Sequence, residues 1–251
     1  MTAARGTEPS AARGSQPSGA RRAPAAAERP AAAAPPAGHV GDARALNWRF
    51  LVPCEPAGLL LLAAADETLP GAVQPRRAAA GLAQALDGGR SYPAVALPDV
   101  GAWSPLLGGG RGGRPAALLA RAAAAVAPGG WLYAGFGNRC YPPAVLDRRA
   151  LTLAAASRAL AAAGLEPAGA WLAFPDHRCP AYLVGSSHPG ELEYFLRTLF
   201  IPHVAGGSRV AARAAQLALA AGRRAALAVP PRLRPRLAPA YALVATRPTA
   251  P

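Results

Sequence analysis

Few side chains in this sequence occur in patterns that suggest chemistry, and four of them fall in two short segments. Asp99 directly follows an apolar run, and Asp176, His177 and Cys179 lie together in a segment bounded by prolines. At the end of a strand, Asp99 can contact a ligand or cap the next turn, and the sequence favours neither. Histidine with cysteine suggests zinc or a nucleophile pair, but zinc needs about four ligands, and only Cys140 is an obvious addition. A nucleophile pair also needs an orienting third group, so the segment is interpreted as a polar β-turn.

A further pair of carboxylates, Asp66 and Glu67, follows the apolar run at 59–65. If the runs preceding Asp66 and Asp99 form neighbouring parallel strands, their carboxyl ends meet at one edge of the sheet. The three carboxylates would then cluster with no glycine-lined pocket beneath them, and at least one should have a raised pKa or turn outward. Asn138 follows a Gly-Phe-Gly segment where a substrate-facing loop would lie, although a turn asparagine is the simpler interpretation.

The spacing of apolar residues predicts an alternation of strands and helices, because short apolar runs favour buried strands and proline or glycine marks helix ends. The predicted strands are residues 58–65, 93–100, 131–136, 168–174, 181–185 and 241–245, the last being a strand or an apolar tail. The predicted helices are residues 75–86, 115–126, 149–163, 191–200 and 208–228. This alternation predicts an α/β fold, Rossmann-like, with a mostly parallel sheet and helices on both faces.

The positive charge of the chain is unevenly distributed. The net charge is +14, all 27 basic residues are arginine, and residues 201–251 contain eight of them and no acid. Ala, Arg, Gly and Pro share GC-rich codons, so a solvated, bias-driven surface is favoured over a nucleic-acid or anionic-lipid site. Residues 1–45 have almost no large apolar side chain to offset their ordering entropy. We predict a disordered tail over 1–45, a Rossmann-like domain over 46–200 and an Arg/Ala-rich helical extension over 201–251.

The cysteines and the apolar runs indicate a cellular location. Cys54, Cys140 and Cys179 are an odd number and make no disulfide framework, which favours reduced thiols. No apolar run reaches the ~18 residues needed to cross a membrane, and the N-terminus lacks the apolar segment of a secretory signal. The glycine-rich loop at 108–113 lacks the lysine of a phosphate-binding P-loop. We therefore expect a cytoplasmic protein without a transmembrane segment or a metal site.

Three segments in the middle of the chain occur in the order found in a known family. A strand ends in an aspartate within 94–100, a helix leads into VAPGGWLY at 126–133, and a helix ends as LAAAGL at 160–165. This order over residues 93–185 resembles the second half of class I S-adenosylmethionine-dependent methyltransferases, with their L-x-P-G-G-x-L and L-x-x-A-G-F segments. The segment 174–184 is also similar to a tail in methyltransferase-like proteins of surface-polysaccharide clusters.

The front of the chain departs from that family. The first strand runs into residues 63–71 without a turn resembling D-x-G-x-G, in which glycine lets the backbone approach the cofactor. Only 33 residues separate Asp66 from Asp99, so the sheet is expected to be truncated in its first half. Two functions stay open. One is an S-adenosylmethionine-dependent methyltransferase acting on a small molecule or saccharide; the other is a non-catalytic relative that has lost the cofactor and serves as a partner or scaffold protein.

The resemblance implies positions for both ligands at the carboxyl edge of the sheet. The residues implied for binding S-adenosylmethionine lie at the ends of the first two predicted strands and are Ala65, Asp66, Glu67, Asp99 and Val100. The residues implied for binding the substrate lie in the loops beyond and are Asn138, Asp176 and His177.

Overall fold

A computed structural model describes residues 43–52, 57–63, 69–107, 114–199 and 209–249 of the chain. The predicted tail up to residue 42 lies outside the described residues, as do three predicted cofactor-binding residues: Ala65, Asp66 and Glu67.

The described strands form one open sheet of six. They are β1 (Leu59–Leu61), β2 (Tyr92–Leu97), β3 (Val126–Gly137), β4 (Glu166–Phe174), β5 (Tyr182–Gly185) and β6 (Ala240–Thr246), in the order β1-β2-β3-β6-β4-β5. β1, β2 and β3 pair in parallel, whereas β6 is antiparallel to both β3 and β4, and β5 is antiparallel to β4. β4 therefore runs in the direction of the first three strands. The predicted α/β fold with a mostly parallel, Rossmann-like sheet is confirmed.

Five of the α-helices lie close to their predicted positions, whereas the short α2 was not predicted and begins where the second predicted strand was expected to end. They are α1 (Ala79–Asp87), α2 (Val100–Trp103), α3 (Pro115–Ala124), α4 (Leu153–Ala162), α5 (Pro189–Tyr194) and α6 (Arg209–Ala228). Local chemistry sets several boundaries: the Thr152 hydroxyl accepts a hydrogen bond from the Ala155 amide at 3.1 Å to cap α4, and Pro115 occupies the first turn of α3. Among the described residues, no helix is both long and apolar enough to cross a membrane.

The two faces of the sheet are covered differently. Val95 and Leu97 point into a core layer built with the α-helices, whereas the alternating Ala94 and Ala96 point into a second layer. In that second layer the 3₁₀ helix Ala43–Leu51 supplies the cover. Its fully buried Trp48 stacks on Tyr133 of β3 with ring centroids 5.4 Å apart. Helices therefore flank both faces of the sheet. The α-helices that contribute core residues all lie on one face, and the 3₁₀ helix lies on the other.

The front of the sheet is short, as expected from the spacing of Asp66 and Asp99. Beyond β1 the described chain adds only an isolated parallel bridge between Leu60 and Val73. The Val73 amide donates to the Leu59 carbonyl oxygen at 2.8 Å, and the Val73 carbonyl accepts from Leu61 at 2.9 Å. Val73 alone thus pairs with β1 at the edge where a further strand would lie.

The Pro-Gly-Gly segment at 128–130 lies inside β3 rather than before it. Gly129 has φ +74°, a left-handed conformation that favours glycine. A Cβ on Gly130 would lie 2.6 Å from the Pro93 carbonyl oxygen, so the absence of a side chain lets β3 approach the start of β2. The turn motif therefore has a packing role between two strands.

The C-terminal segment contributes a strand to the sheet. β6, which falls within the predicted extension at 201–251, lies between β3 and β4. Its end is held by Arg247, which donates to the Ala123 carbonyl oxygen at 2.7 Å at the end of α3. The sheet thus depends on residues from the far end of the chain.

Candidate functional site

An open cleft lies beyond the carboxyl end of β1. It has a volume of about 460 Å³ and is lined by apolar and basic residues: Leu61, Ala63, Gln74, Pro75, Arg76, Arg77 and Ala78. None of these lining residues is glycine or acidic. Clefts at this edge of an open α/β sheet are where ligands bind, so the position matches the predicted ligand edge.

Asp99 lies at the same edge, directly after β2. Its Oδ1 atom accepts a hydrogen bond from the Ala102 amide at 2.9 Å and thereby caps the short helix α2. The same oxygen lies 3.3 Å from Nε2 of His177. Burial would raise the pKa of Asp99, but the His177 side chain and the Ala102 amide outweigh it and hold that pKa below 3.8. The structure thus shows the capping role considered for Asp99, and its contact with a ligand stays a prediction.

His177 lies between two carboxylates. Its Nδ1 atom is 3.6 Å from Oδ1 of Asp176, while Nε2 faces Asp99. The side chains of His177 and Asp99 are only 14% and 19% exposed, so water screens their interaction little. Asp176 forms an ion pair with Arg178, whose Nη2 is 2.8 Å from Oδ2. Burial opposes ionisation of Asp176, yet its contacts with Arg178 hold its pKa below 3.8.

The hairpin between β4 and β5 carries His177 to this edge. The hairpin closes through the Ala181 amide, which donates to the Phe174 carbonyl at 2.7 Å, and Asn47 donates to the Pro180 carbonyl at 2.6 Å. A Cβ on Gly135 of β3 would collide with the Pro98 carbonyl oxygen and lie 3.4 Å from the His177 Cβ. Glycine at that position therefore lets the end of β2 and the hairpin come together.

Helix α2 connects the cleft to the Asp99–His177 pair. Arg77 in the cleft wall donates to the Ala102 carbonyl oxygen at 3.0 Å, and the Ala102 amide donates to Asp99. The buried Trp103 indole donates to the Ala63 carbonyl at 3.2 Å. Hydrogen bonds through α2 thus link residues that line the cleft to the Asp99–His177 pair, and we treat the two features together as the candidate site.

Two other predicted residues are placed in the interior. Val100 is fully buried in the helical core layer. Asn138 is also fully buried. Its Nδ2 atom donates to the carbonyl oxygens of Arg236 at 2.9 Å and Ala238 at 2.8 Å, and its Oδ1 atom accepts from the Cys140 amide at 2.9 Å. Its amide fastens the loop after β3 to the segment before β6.

The sequence reasoning did not single out the cleft residues Gln74, Arg76 and Arg77. Their signal was their place after the first predicted strand and at the start of the first predicted helix, a region that lies at the carboxyl edge of the sheet. The sequence also offered no reason to connect Asp99 with His177, because 78 residues separate them and no local pattern joins them.

Within the described ranges no group of three or more His, Cys, Asp or Glu side chains is arranged to hold a metal ion. No family model matches the sequence, and no curated protein matches it significantly. The functional argument therefore depends on the geometry of the site.

Proposed function

We propose that this chain is a methyltransferase-like protein that binds S-adenosylmethionine and methylates a small molecule or a saccharide. The observation that carries the proposal is the open cleft of about 460 Å³ at the carboxyl end of β1, beside the parallel β2. Small-molecule sites typically occupy about 300–1,000 Å³ and lie at this edge of open sheets. When bound, the cofactor supplies an activated methyl group.

The residues lining the cleft fit such a ligand in charge and polarity. The guanidinium groups of Arg76 and Arg77 are suited to a carboxylate, which arginine binds with paired hydrogen bonds. Leu61 and Ala63 offer an apolar wall to the adenine ring. The Asp99 carboxylate at the neighbouring strand end stays ionised and can accept hydrogen bonds from the ligand.

A second candidate function is a non-catalytic relative that has kept the sheet and serves as a partner or scaffold protein. Two observations favour it. No glycine lines the cleft, so the backbone approach expected of a glycine-rich turn is missing from the described wall. Asp99 is also already engaged by Ala102 and His177.

Isothermal titration with S-adenosylmethionine separates the two. The proposal predicts saturable binding with one site per chain. Arg76→Ala should weaken that binding about 10-fold, because one charge-assisted hydrogen bond contributes about 1.4 kcal/mol. The matched control is Arg158→Ala, which removes an exposed arginine on α4 outside the cleft lining and should bind like the parent. Absence of heat and of a thermal shift at millimolar cofactor would refute the proposal and leave the non-catalytic alternative. Saturable, stoichiometric binding would exclude that alternative.

A further inference from the structure

The loop between β3 and α4 exposes apolar side chains that the core does not use. Leu146 is 90% exposed and its neighbour Val145 is 54% exposed, and Pro142 and Pro143 in the same turn are exposed as well. We call these four residues the apolar tip. Single exposed apolar residues are ordinary, whereas a contiguous group with a polar rim marks an interaction surface. Among the described residues, only Val145 and Leu146 are neighbours in the chain within the set of exposed large apolar side chains, which are Phe50, Val145, Leu146, Tyr182, Tyr194 and Leu217.

Hydrogen bonds hold the apolar tip in place. At the base of the loop, the Leu151 amide donates to the Gly137 carbonyl at 2.9 Å, and the Arg139 amide donates to the Leu151 carbonyl at 3.0 Å. At the tip, the Ala144 amide donates to the Tyr141 carbonyl at 2.8 Å. The apolar tip is therefore presented in a fixed position, and a partner surface would not have to order the loop on binding.

Exposed arginines flank the apolar tip. In the loop itself they are Arg139, Arg148 and Arg149. The Asn138 side chain donates to the Arg236 carbonyl at 2.9 Å, which brings the backbone of the exposed Arg236 to the base of the loop. We call these four arginines the basic collar. The loop has one acid, Asp147, whose Oδ1 atom accepts a hydrogen bond from the Arg149 amide at 2.9 Å, so the charge beside the tip is positive.

An apolar tip within a basic collar fits some partners better than others. Two copies of this chain meeting at their tips would bring their arginines together, and like charges repel. Nucleic acid would satisfy the arginines, but bases stack on aromatic side chains, and the tip is aliphatic. A protein interface buries about 800 Å² on each partner, more than one short turn supplies. An anionic bilayer offers negative headgroups to the arginines and an apolar interior to the aliphatic side chains.

We propose that the apolar tip and the basic collar bind the surface of an anionic lipid bilayer. Val145 and Leu146 insert at the boundary of headgroups and acyl chains, where surface segments bury apolar side chains about 5–10 Å deep, and the arginines lie against the lipid phosphates. The loop follows β3 at the carboxyl edge of the sheet, so the bound protein holds its candidate site near the headgroups. Lipid binding is independent of the proposed function, because it involves none of the residues that line the cleft.

Flotation of the full chain with lipid vesicles, without cofactor, tests this surface. We expect binding to phosphatidylcholine vesicles that contain about 30% phosphatidylserine, and binding at least about 10-fold weaker to pure phosphatidylcholine, because each basic residue near an anionic surface contributes about 5-fold. Binding to neither kind of vesicle, or equal binding to both, would overturn the proposal.

Substitutions in the apolar tip test insertion. Leu146→Ser should weaken binding about 10-fold, the lower end of what burying a leucine contributes, whereas Leu146→Phe should retain it. The matched controls are Phe50→Ser, at a side chain 87% exposed, and Leu217→Ser, at one 66% exposed on the arginine-rich α6; both should bind like the parent. All these side chains are exposed, so the variants should keep the parent's urea midpoint. Unchanged binding by Leu146→Ser, or a loss with Leu217→Ser in its place, would contradict insertion of the tip.

Substitutions of arginine test the collar. Arg148→Gln should weaken binding to the phosphatidylserine vesicles about 5-fold, and this loss should shrink at high salt because the charges are exposed. Arg158→Gln removes an exposed arginine on α4, outside the collar, and should bind like the parent. Equal losses for Arg148→Gln and Arg158→Gln would show that binding follows net charge alone and would overturn the role of the collar.

Discussion

Replacing Asp99 separates the structural contribution of its carboxylate from the electrostatic one. Asparagine keeps an oxygen that can cap α2, since it caps helices about as well as aspartate, but it removes the charge that faces His177. Alanine removes both. The cap contributes about 1 kcal/mol to the free energy of unfolding. The contact with His177 contributes about 1–1.5 kcal/mol, at or just below the lower end of the range for hydrogen bonds to charged groups, because its 3.3 Å is long. We expect a loss of about 2–2.5 kcal/mol for Asp99→Ala and about 1–1.5 kcal/mol for Asp99→Asn.

The direction of the Asp99 pKa shift determines how the loss of stability should change with pH. The folded-state pKa of Asp99 lies below its ordinary 3.8, so ionised Asp99 stabilises the fold above pH 3.8. That contribution disappears as the pH falls through the folded-state pKa. The difference between the parent and Asp99→Asn should therefore shrink as the pH falls below 3.8.

Urea unfolding followed by tryptophan fluorescence measures these differences. Thr152→Ala is the matched control, because Thr152 caps α4 without a charge; it should cost about 1 kcal/mol and show no such acid dependence. Equal losses for Asp99→Ala and Asp99→Asn, or a difference for Asp99→Asn that persists unchanged into acid, would refute the reasoning.

Substitutions at three further positions test the packing around the site. Trp48→Ala should destabilise the fold by about 3–5 kcal/mol in the same urea assay. Trp48→Phe should destabilise it by about 1–2 kcal/mol, because an aromatic ring still stacks on Tyr133. Equal losses for the two variants would contradict the stacking role. Asn138→Ala should cost about 2–4 kcal/mol, because three buried hydrogen bonds are lost; a loss below about 1 kcal/mol would mean that water or a rearranged loop replaces them. Gly135→Ala should cost about 1–3 kcal/mol and shift the NMR signals of the His177 ring, because its Cβ would collide with the Pro98 carbonyl oxygen and lie 3.4 Å from the His177 Cβ. Unchanged His177 signals in that variant would show that the hairpin and the end of β2 move independently.

Local sequence was sufficient to predict the elements of the fold. Continuous apolar runs such as Leu59–Leu61 are favoured in strands covered on both faces, and both faces of β1 are buried. The N-terminal proline of α3 and the positive φ of Gly164 after α4 act within a few residues. Helix and strand positions follow from such short-range effects, and so did the parallel pairing of β1 with β2, because a helix between two strands returns the chain in the same direction.

The identity of the sheet neighbours farther along the chain was decided only by the tertiary structure. The run at 241–245 was compatible with a strand or an apolar tail, and nothing local places it between β3 and β4. That position depends on the pairing of both edges of β6 with strands whose residues lie about 70 to 110 positions earlier. Long-range pairing of this kind leaves no periodic signal at either end.

The features of the candidate site also divide into those that local sequence predicts and those that only the tertiary structure decides. The sequence determined that Asp99 ends a strand and that Asp176 and His177 lie in a turn, because those features depend on neighbouring residues. Only the folded chain brings Nε2 of His177 within 3.3 Å of Asp99. The contact requires a hairpin, a glycine on the intervening strand and a shared sheet edge at once, and each of these is a property of packing rather than of any single segment.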